Sequence, residues 1–169
     1  MLKAIKSKSA RAQGGSYVIV AARYNSVYVN ALLSAARVEL QNARAKVRVV
    51  RVPGAFEIPT VAARLAEKNA AQSSRIKAHV SRTSGPLSAI ICLGVIFQGE
   101  TSHAQHISWG VTHALAQIQV QYKIPVIHGV FLFEKEKHAR VRCLGTKHNR
   151  GTEAAQTALQ MARVMGQVR

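Results

Sequence analysis

Residues 88–103 read SAIICLGVIFQGETSH. The run from Ser88 to Gly94 is apolar with no polar alternation, which marks a strand buried on both faces, as in a parallel sheet covered by helices. A polar turn follows, and a helical pattern begins at Thr101. Gly99 lets the backbone come close to a ligand. Thr101 stands where a helix opens and its first amides lack partners within the helix, so the turn offers a seat for phosphate. It also reads as an ordinary strand-to-helix turn with a capping threonine. The lysine of a Walker loop and the further glycines of a dinucleotide fingerprint are missing.

Outward from this stretch the same grammar repeats. Tyr17 to Ala22 and Val47 to Val52 are apolar or β-branched runs, and Pro125 to Phe131 is another, giving four strands with Ser88 to Gly94. Between them lie helical patterns from Ser26 to Asn42, Ile58 to Lys68 and Thr101 to Tyr122, the last with apolar residues at 107, 111, 115 and 118. Glu134 to Cys143 and Thr152 to Met165 are expected to close the chain as helices, and residues 69–87 to form a polar surface connection. Strands alternating with helices predict an α/β fold, a parallel sheet with helices on both faces and right-handed crossovers. Residues 1–15 are expected to be a mobile basic arm, ahead of a single domain over residues 16–169.

Composition narrows the function classes. The 169 residues hold 24 Lys and Arg against seven acids, a net charge of +17, with 48% hydrophobic and 5% aromatic residues. All seven acids are glutamate. The absence of aspartate excludes Asp-based triads, EF-hand loops and Asp-built Mg²⁺ sites. The glutamates at 39, 57, 67, 100, 134, 136 and 153 have no paired-carboxylate spacing, which argues against glycosidase and two-metal chemistry. Cys92 and Cys143 sit in unrelated contexts, consistent with a reducing, cytoplasmic compartment. No apolar run approaches the ~20 residues of a membrane span. The charge favours polyanions, nucleic acid among them, in a salt-dependent way, so a non-catalytic basic shell or binding protein of the same fold that packages polyanions is the competing reading. Against it, stacking aromatics are scarce.

Open parallel sheets bind ligands beyond the carboxyl ends of their strands, which nominates the loops 23–26, 53–58, 95–103 and 131–134. Tyr24 can offer a ring face. The turn Val52–Pro59 (VPGAFEIP) exposes peptide groups to a polyol or heterocycle, and Glu57 can accept from hydroxyls. His103 lies in the first helical turn beside the proposed anion seat, where it can take and return a proton. His103 and His106 share a helix face, but nothing completes a ligand set, and no metal is expected. Arg142 and Arg150 can bind phosphate through charge-assisted bonds. Each of these side chains also reads, taken singly, as a solvated or core residue.

Together, VPGAFEIP at 52–59, GVIFQGETSH at 94–103, PVIHGV at 125–130 and RCLGTKHNRGTEAA at 142–155 resemble the lumazine synthase family, over about residues 17–166. The resemblance implies a flavodoxin-like three-layer sandwich with a four-stranded parallel sheet of order 2-1-3-4. It also implies a transferase of riboflavin biosynthesis that needs neither cofactor nor metal. Its substrates would be 5-amino-6-(D-ribitylamino)uracil and 3,4-dihydroxy-2-butanone 4-phosphate, joined by imine formation, phosphate elimination and ring closure. A homo-pentamer with sites between subunits follows, and the Gly145–His148 stretch resembles the loop of relatives that assemble into sixty-subunit icosahedral shells.

By the same resemblance Tyr24 stacks on the pyrimidine, and Ala55, Phe56 and Glu57 hold the ribityl chain. Ile96 and Phe97 present backbone groups to the uracil edge. Gly99, Glu100 and Thr101 cradle the phosphate with Arg142, and His103 transfers protons. His128 and Arg150 match the neighbouring subunit's aromatic residue and C-terminal lysine. The chain departs from the family pattern at Tyr24 (commonly Phe or Trp), Gln98 (Arg or Lys), His128 (Phe) and Arg150 (Lys). Ala104 and Gln105 replace the aromatic and the acid that often follow the histidine.

Overall fold

The structure is a computed structural model that describes residues 14–76 and 85–168. Its elements run β1 (Ser16–Ala22), α1 (Ser26–Asn42), β2 (Lys46–Val52), α2 (Ile58–Ile76), β3 (Ala89–Phe97), α3 (His103–Tyr122), β4 (Val126–Phe133), α4 (Glu136–Ala139) and α5 (Arg150–Gln167). The four strands form one parallel sheet of order β2-β1-β3-β4. The α/β architecture and strand order are those expected above.

The sheet carries a core on each face. Tyr17, Ile19 and Ala21 of β1 point to one side with Ile91 and Leu93, where Leu32, Ala36 and Leu40 of α1 and Ala155, Ala158 and Leu159 of α5 cover them. Val18, Val20, Ile90 and Cys92 point to the other side, under Ile58, Ala62 and Ala66 of α2 and Val111 and Leu115 of α3. Both faces of the central strands are buried, so their sequences show no alternation. Helix α5 lies close to α1: a Cβ on Gly151 would overlap the Leu32 carbonyl oxygen. The alanine-rich face of α5 is what that approach requires.

Several boundaries move. β3 runs on to Phe97, and β4 to Phe133, because the two stay paired to the last register, Phe97↔Phe133. Helix α3 begins at His103 rather than Thr101. Helix α2 continues through Ile76, so positions 69–76 are helical and not connection: Ala70, Ala71 and Gln72 have good helix propensity, and polarity alone conceals it. The Asn69 side chain then accepts from Leu87 N–H at 2.6 Å, tying the far end of the connection to α2. Residues 77–84 of that connection, and 1–13 of the expected arm, lie outside the described residues.

The helix expected over 134–143 is instead the single turn α4 followed by a five-residue π-helical turn, Arg140–Leu144. Asn149, buried at the start of α5, explains this. Its side chain donates to the Cys143 carbonyl at 2.5 Å and accepts from Gly151 N–H at 2.8 Å. One carboxamide thus ends the π turn and caps α5.

Candidate active site

The carboxyl ends of β1, β2 and β3 gather the first three nominated loops. After β1, Arg23 N–H donates to Val52 O at 2.8 Å and Tyr24 N–H to Pro53 O at 3.0 Å, so the loop leaving β1 is stitched to the chain leaving β2. Asn25 adopts a left-handed conformation (φ 54°) just before α1, and its side chain donates to Val95 O at 2.7 Å. Three strand ends are thereby fixed relative to one another. Tyr24 projects from this junction, 75% exposed.

The turn 53–58 folds over β3. A Cβ on Gly94 would stand 3.2–3.4 Å from side-chain atoms of Val130, Ile58 and Ala55, so a side chain there would push these neighbours outward by a few tenths of an ångström and lift the turn. The Glu57 carboxylate accepts from Gly54 N–H at 2.8 Å and closes the turn on itself. Phe56 is 62% exposed and lies toward Gly110 of α3.

β3 is longer than its neighbour β1. The pairing with β1 ends at Ala21↔Leu93, while β3 continues to Phe97 alongside β4. In a strand, successive residues turn their peptide groups to alternate sides. Val95 O faces the β1 side, where Asn25 takes it, so Phe97 turns its N–H and C=O the same way, beyond the end of β1. Ile96 turns toward β4. The Phe97 ring packs edge-on against Tyr28 at 5.4 Å and near Phe133 at 6.3 Å, leaving its main chain to face the opening.

Gly99, Glu100, Thr101 and His103 are all exposed on the loop into α3. Thr101 Oγ1 accepts a long 3.5 Å contact from His103 N–H, and His106 N–H reaches Ser102 O at 3.1 Å. Gln98 anchors the loop: its N–H donates to Phe133 O at 2.9 Å, and its side-chain Nε2 donates to Gly99 O at 2.8 Å and Thr101 O at 2.7 Å. The His103 side chain has no hydrogen-bond partner among the described residues. His106 instead meets Trp109, ring centroids 6.3 Å apart, and no group of metal-ligating side chains occurs among the described residues.

The remaining three candidates stand apart from this cleft, around the edge strand β4 and the start of α5. His128 Nε2 lies 2.9 Å from Thr112 Oγ1. Thr112 gives its one hydroxyl proton to Ser108 O at 2.8 Å, so it accepts from a protonated Nε2. Partial desolvation beside α3 holds the His128 imidazole below its ordinary pKa, although the residue keeps an exposed edge. Arg142 is half-buried in the π turn, and its guanidinium has no partner among the described residues. Arg150 pairs with Glu153 and stands 5.8 Å over the Phe131 ring, so its charge is partly engaged within the chain. Cys143 is buried beside Arg142; burial pushes its thiol up to about 11, consistent with a structural role.

Asn25, Thr112 and the strapping role of Gln98 were not among the sequence candidates. Asn25 had a local signal, since asparagine tolerates the left-handed region and here separates a strand from a helix, and Gln98 stood out only as a departure from the family pattern. A line of rings, Tyr28, Phe97, Phe133 and Phe131, leads from the cleft to Arg150, and the scattered positions gave no hint of it.

Comparison with known proteins shows what the whole chain is similar to. The family profile described as 6,7-dimethyl-8-ribityllumazine synthase matches residues 14–166. A 6,7-dimethyl-8-ribityllumazine synthase of Stenotrophomonas maltophilia is 33% identical over 159 residues, covering 92% of this chain and 92% of the relative. One of Xanthomonas campestris pv. campestris is 34% identical over 152 residues, 88% of each chain.

Proposed function

The chain belongs to the 6,7-dimethyl-8-ribityllumazine synthase family, and on that premise we propose that its active site is the cleft above β1, β2 and β3, completed by a second copy of the chain. The protein is a transferase of riboflavin biosynthesis, condensing 5-amino-6-(D-ribitylamino)uracil with 3,4-dihydroxy-2-butanone 4-phosphate. The observation that carries the assignment of the cleft is the overhang of β3 beyond β1, bounded by Tyr24 and the 53–58 turn.

In this reading the pyrimidine lies against Tyr24 with its edge on the β3 overhang at the main chain of Phe97; Ile96, expected to share that role, turns its peptide groups toward β4 and only lines the base of the cleft. The ribityl chain runs along Ala55, Phe56 and Glu57. The phosphate of the second substrate is received by Gly99, Glu100 and Thr101. The substrate amine attacks the ketone, water departs to leave an imine, phosphate is eliminated, and the second amine closes the ring with loss of water. His103 moves the protons, and arginine steadies the departing anion. No step needs a protein nucleophile. Holding two substrates in register supplies about 7–11 kcal/mol of barrier reduction, and acid–base assistance about 10²–10⁴-fold.

Arg142, His128 and Arg150 are assigned to the neighbouring copy's cleft, and the assembly is a homo-pentamer, with an icosahedral shell as its larger form. Two observations support self-association. β4 is an edge strand, and Trp109, His113, Ala116 and Val120 form one exposed stripe along α3, with Trp109 63% and Val120 76% exposed. We place the enzyme in the cytoplasm, consistent with two free, buried cysteines; no helix among the described residues is long and apolar enough to cross a membrane. Incubation with both substrates, following lumazine absorbance and phosphate together, tests the assignment. Equal release of both is the expected result, and neither product overturns it.

A further inference from the structure

We infer that Gln98 is a positioning residue that shapes the anion-receiving loop, an inference that rests on the cleft assignment above. Its side-chain Nε2 donates to the carbonyls of Gly99 and Thr101 at 2.8 and 2.7 Å, while its own N–H is held by Phe133 O at 2.9 Å. The carboxamide orientation is unambiguous, because a flipped group would set its oxygen against two carbonyl oxygens. Its Oε1 is consequently buried with no partner among the described residues. Buried acceptors are normally paired, and this one is left unpaired for the sake of two donor bonds. Those bonds draw the carbonyls of Gly99 and Thr101 toward the protein, away from the space an anion would occupy. Both carbonyl dipoles would otherwise be free to swing into the cleft and repel a phosphate. A Cβ on Gly99 would meet nothing within 4 Å, so the loop does not hold itself by packing there. Gln98 has its donors committed inward, so it sets the loop's shape without touching the substrate, and it favours doubly charged phosphate over a neutral analogue.

The test uses three full-length variants. Gln98→Met removes both donor bonds at similar volume, Gln98→Glu replaces the donor with a charge that repels both carbonyls, and Gln98→Lys keeps a donor while removing the orphaned oxygen. Inorganic phosphate affinity is measured by calorimetry, and kcat and KM for each substrate by steady-state kinetics. For Gln98→Met and Gln98→Glu, phosphate binding should weaken about 5- to 10-fold. KM for the phosphate-bearing substrate should rise in parallel, with KM for the ribityl substrate within about 2-fold. Gln98→Lys, which keeps a donor and adds a cation beside the anion seat, should bind phosphate at least as well as wild type. Should Gln98→Met fail to fold, Gln98→Leu, equally neutral and without a donor, takes its place. Wild-type phosphate affinity in the neutral, donor-free variant, in an enzyme whose wild type forms lumazine, overturns this inference alone. A wild type that forms no lumazine overturns the cleft assignment instead.

Discussion

The side chain of Asn25 reaches across from the end of β1 to the carbonyl of Val95 in β3, 2.7 Å away, from a backbone position at φ 54°. Residue 25 thus serves two purposes, a left-handed turn and a tie between strands. Asn25→Gly keeps the first and loses the second, whereas Asn25→Ala loses both. Urea unfolding should show Asn25→Ala destabilised by about 1–2 kcal/mol and Asn25→Gly by less. If Asn25→Ala matched wild type, neither the tie nor the turn would matter to stability.

His103→Ala should lower kcat about 10-fold or more with KM values largely kept, and Arg142→Ala should raise KM for the phosphate substrate. If the two residues meet only across a subunit boundary, coexpressed variants form mixed assemblies. Random mixing leaves about a quarter of the boundaries with both residues intact, so activity should return toward that fraction. No recovery in the mixture, with assembly intact, would place both residues in one subunit's site.

Gly151 leaves no room for a methyl group against Leu32 O. Gly151→Ala must push α5 away from α1 and disturb the Asn149 cap immediately before Arg150. A loss of about 1–3 kcal/mol is expected, read from the urea midpoint. Gly166→Ala, at a position with open space, is the control and should change little.

Partial desolvation keeps the His128 imidazole below its usual value of 6.5 and so favours its neutral form. The folded chain then binds fewer protons than the unfolded chain between the depressed value and 6.5. The stability from this group is complete above the usual value and declines as pH falls toward the lowered one. His128→Phe should flatten the fall in Tm between about pH 7 and 5 relative to wild type. An unchanged slope would exclude His128 as its source.

The sheet was legible because its inner strands are buried on both faces: Tyr17–Ala22 and Ser88–Gly94 have no polar alternation to obscure them. The cleft was legible in part because carboxyl-end loops can be nominated from strand positions alone. Other features depend on contacts that sequence spacing does not encode. Asn149 meets Cys143 only because the π turn brings them together, and His128 meets Thr112 only because α3 packs beside β4. Helix α2 hid its last turns because polar residues suit a helix end and a loop equally well. Gln98 was visible only as a departure from a family pattern; the two carbonyls it restrains give that departure a local physical role.

Phe97's peptide group, unzipped from β1 and still riveted to its register with Phe133, behaves like the rim of an unfinished sheet. A flat heterocycle laid on that rim would be read much as an incoming strand is read, by amide and carbonyl. Such a reading survives the exchange of any side chain along the rim. Point substitutions can therefore retune how fast the ring reacts far more easily than they can change which ring is admitted.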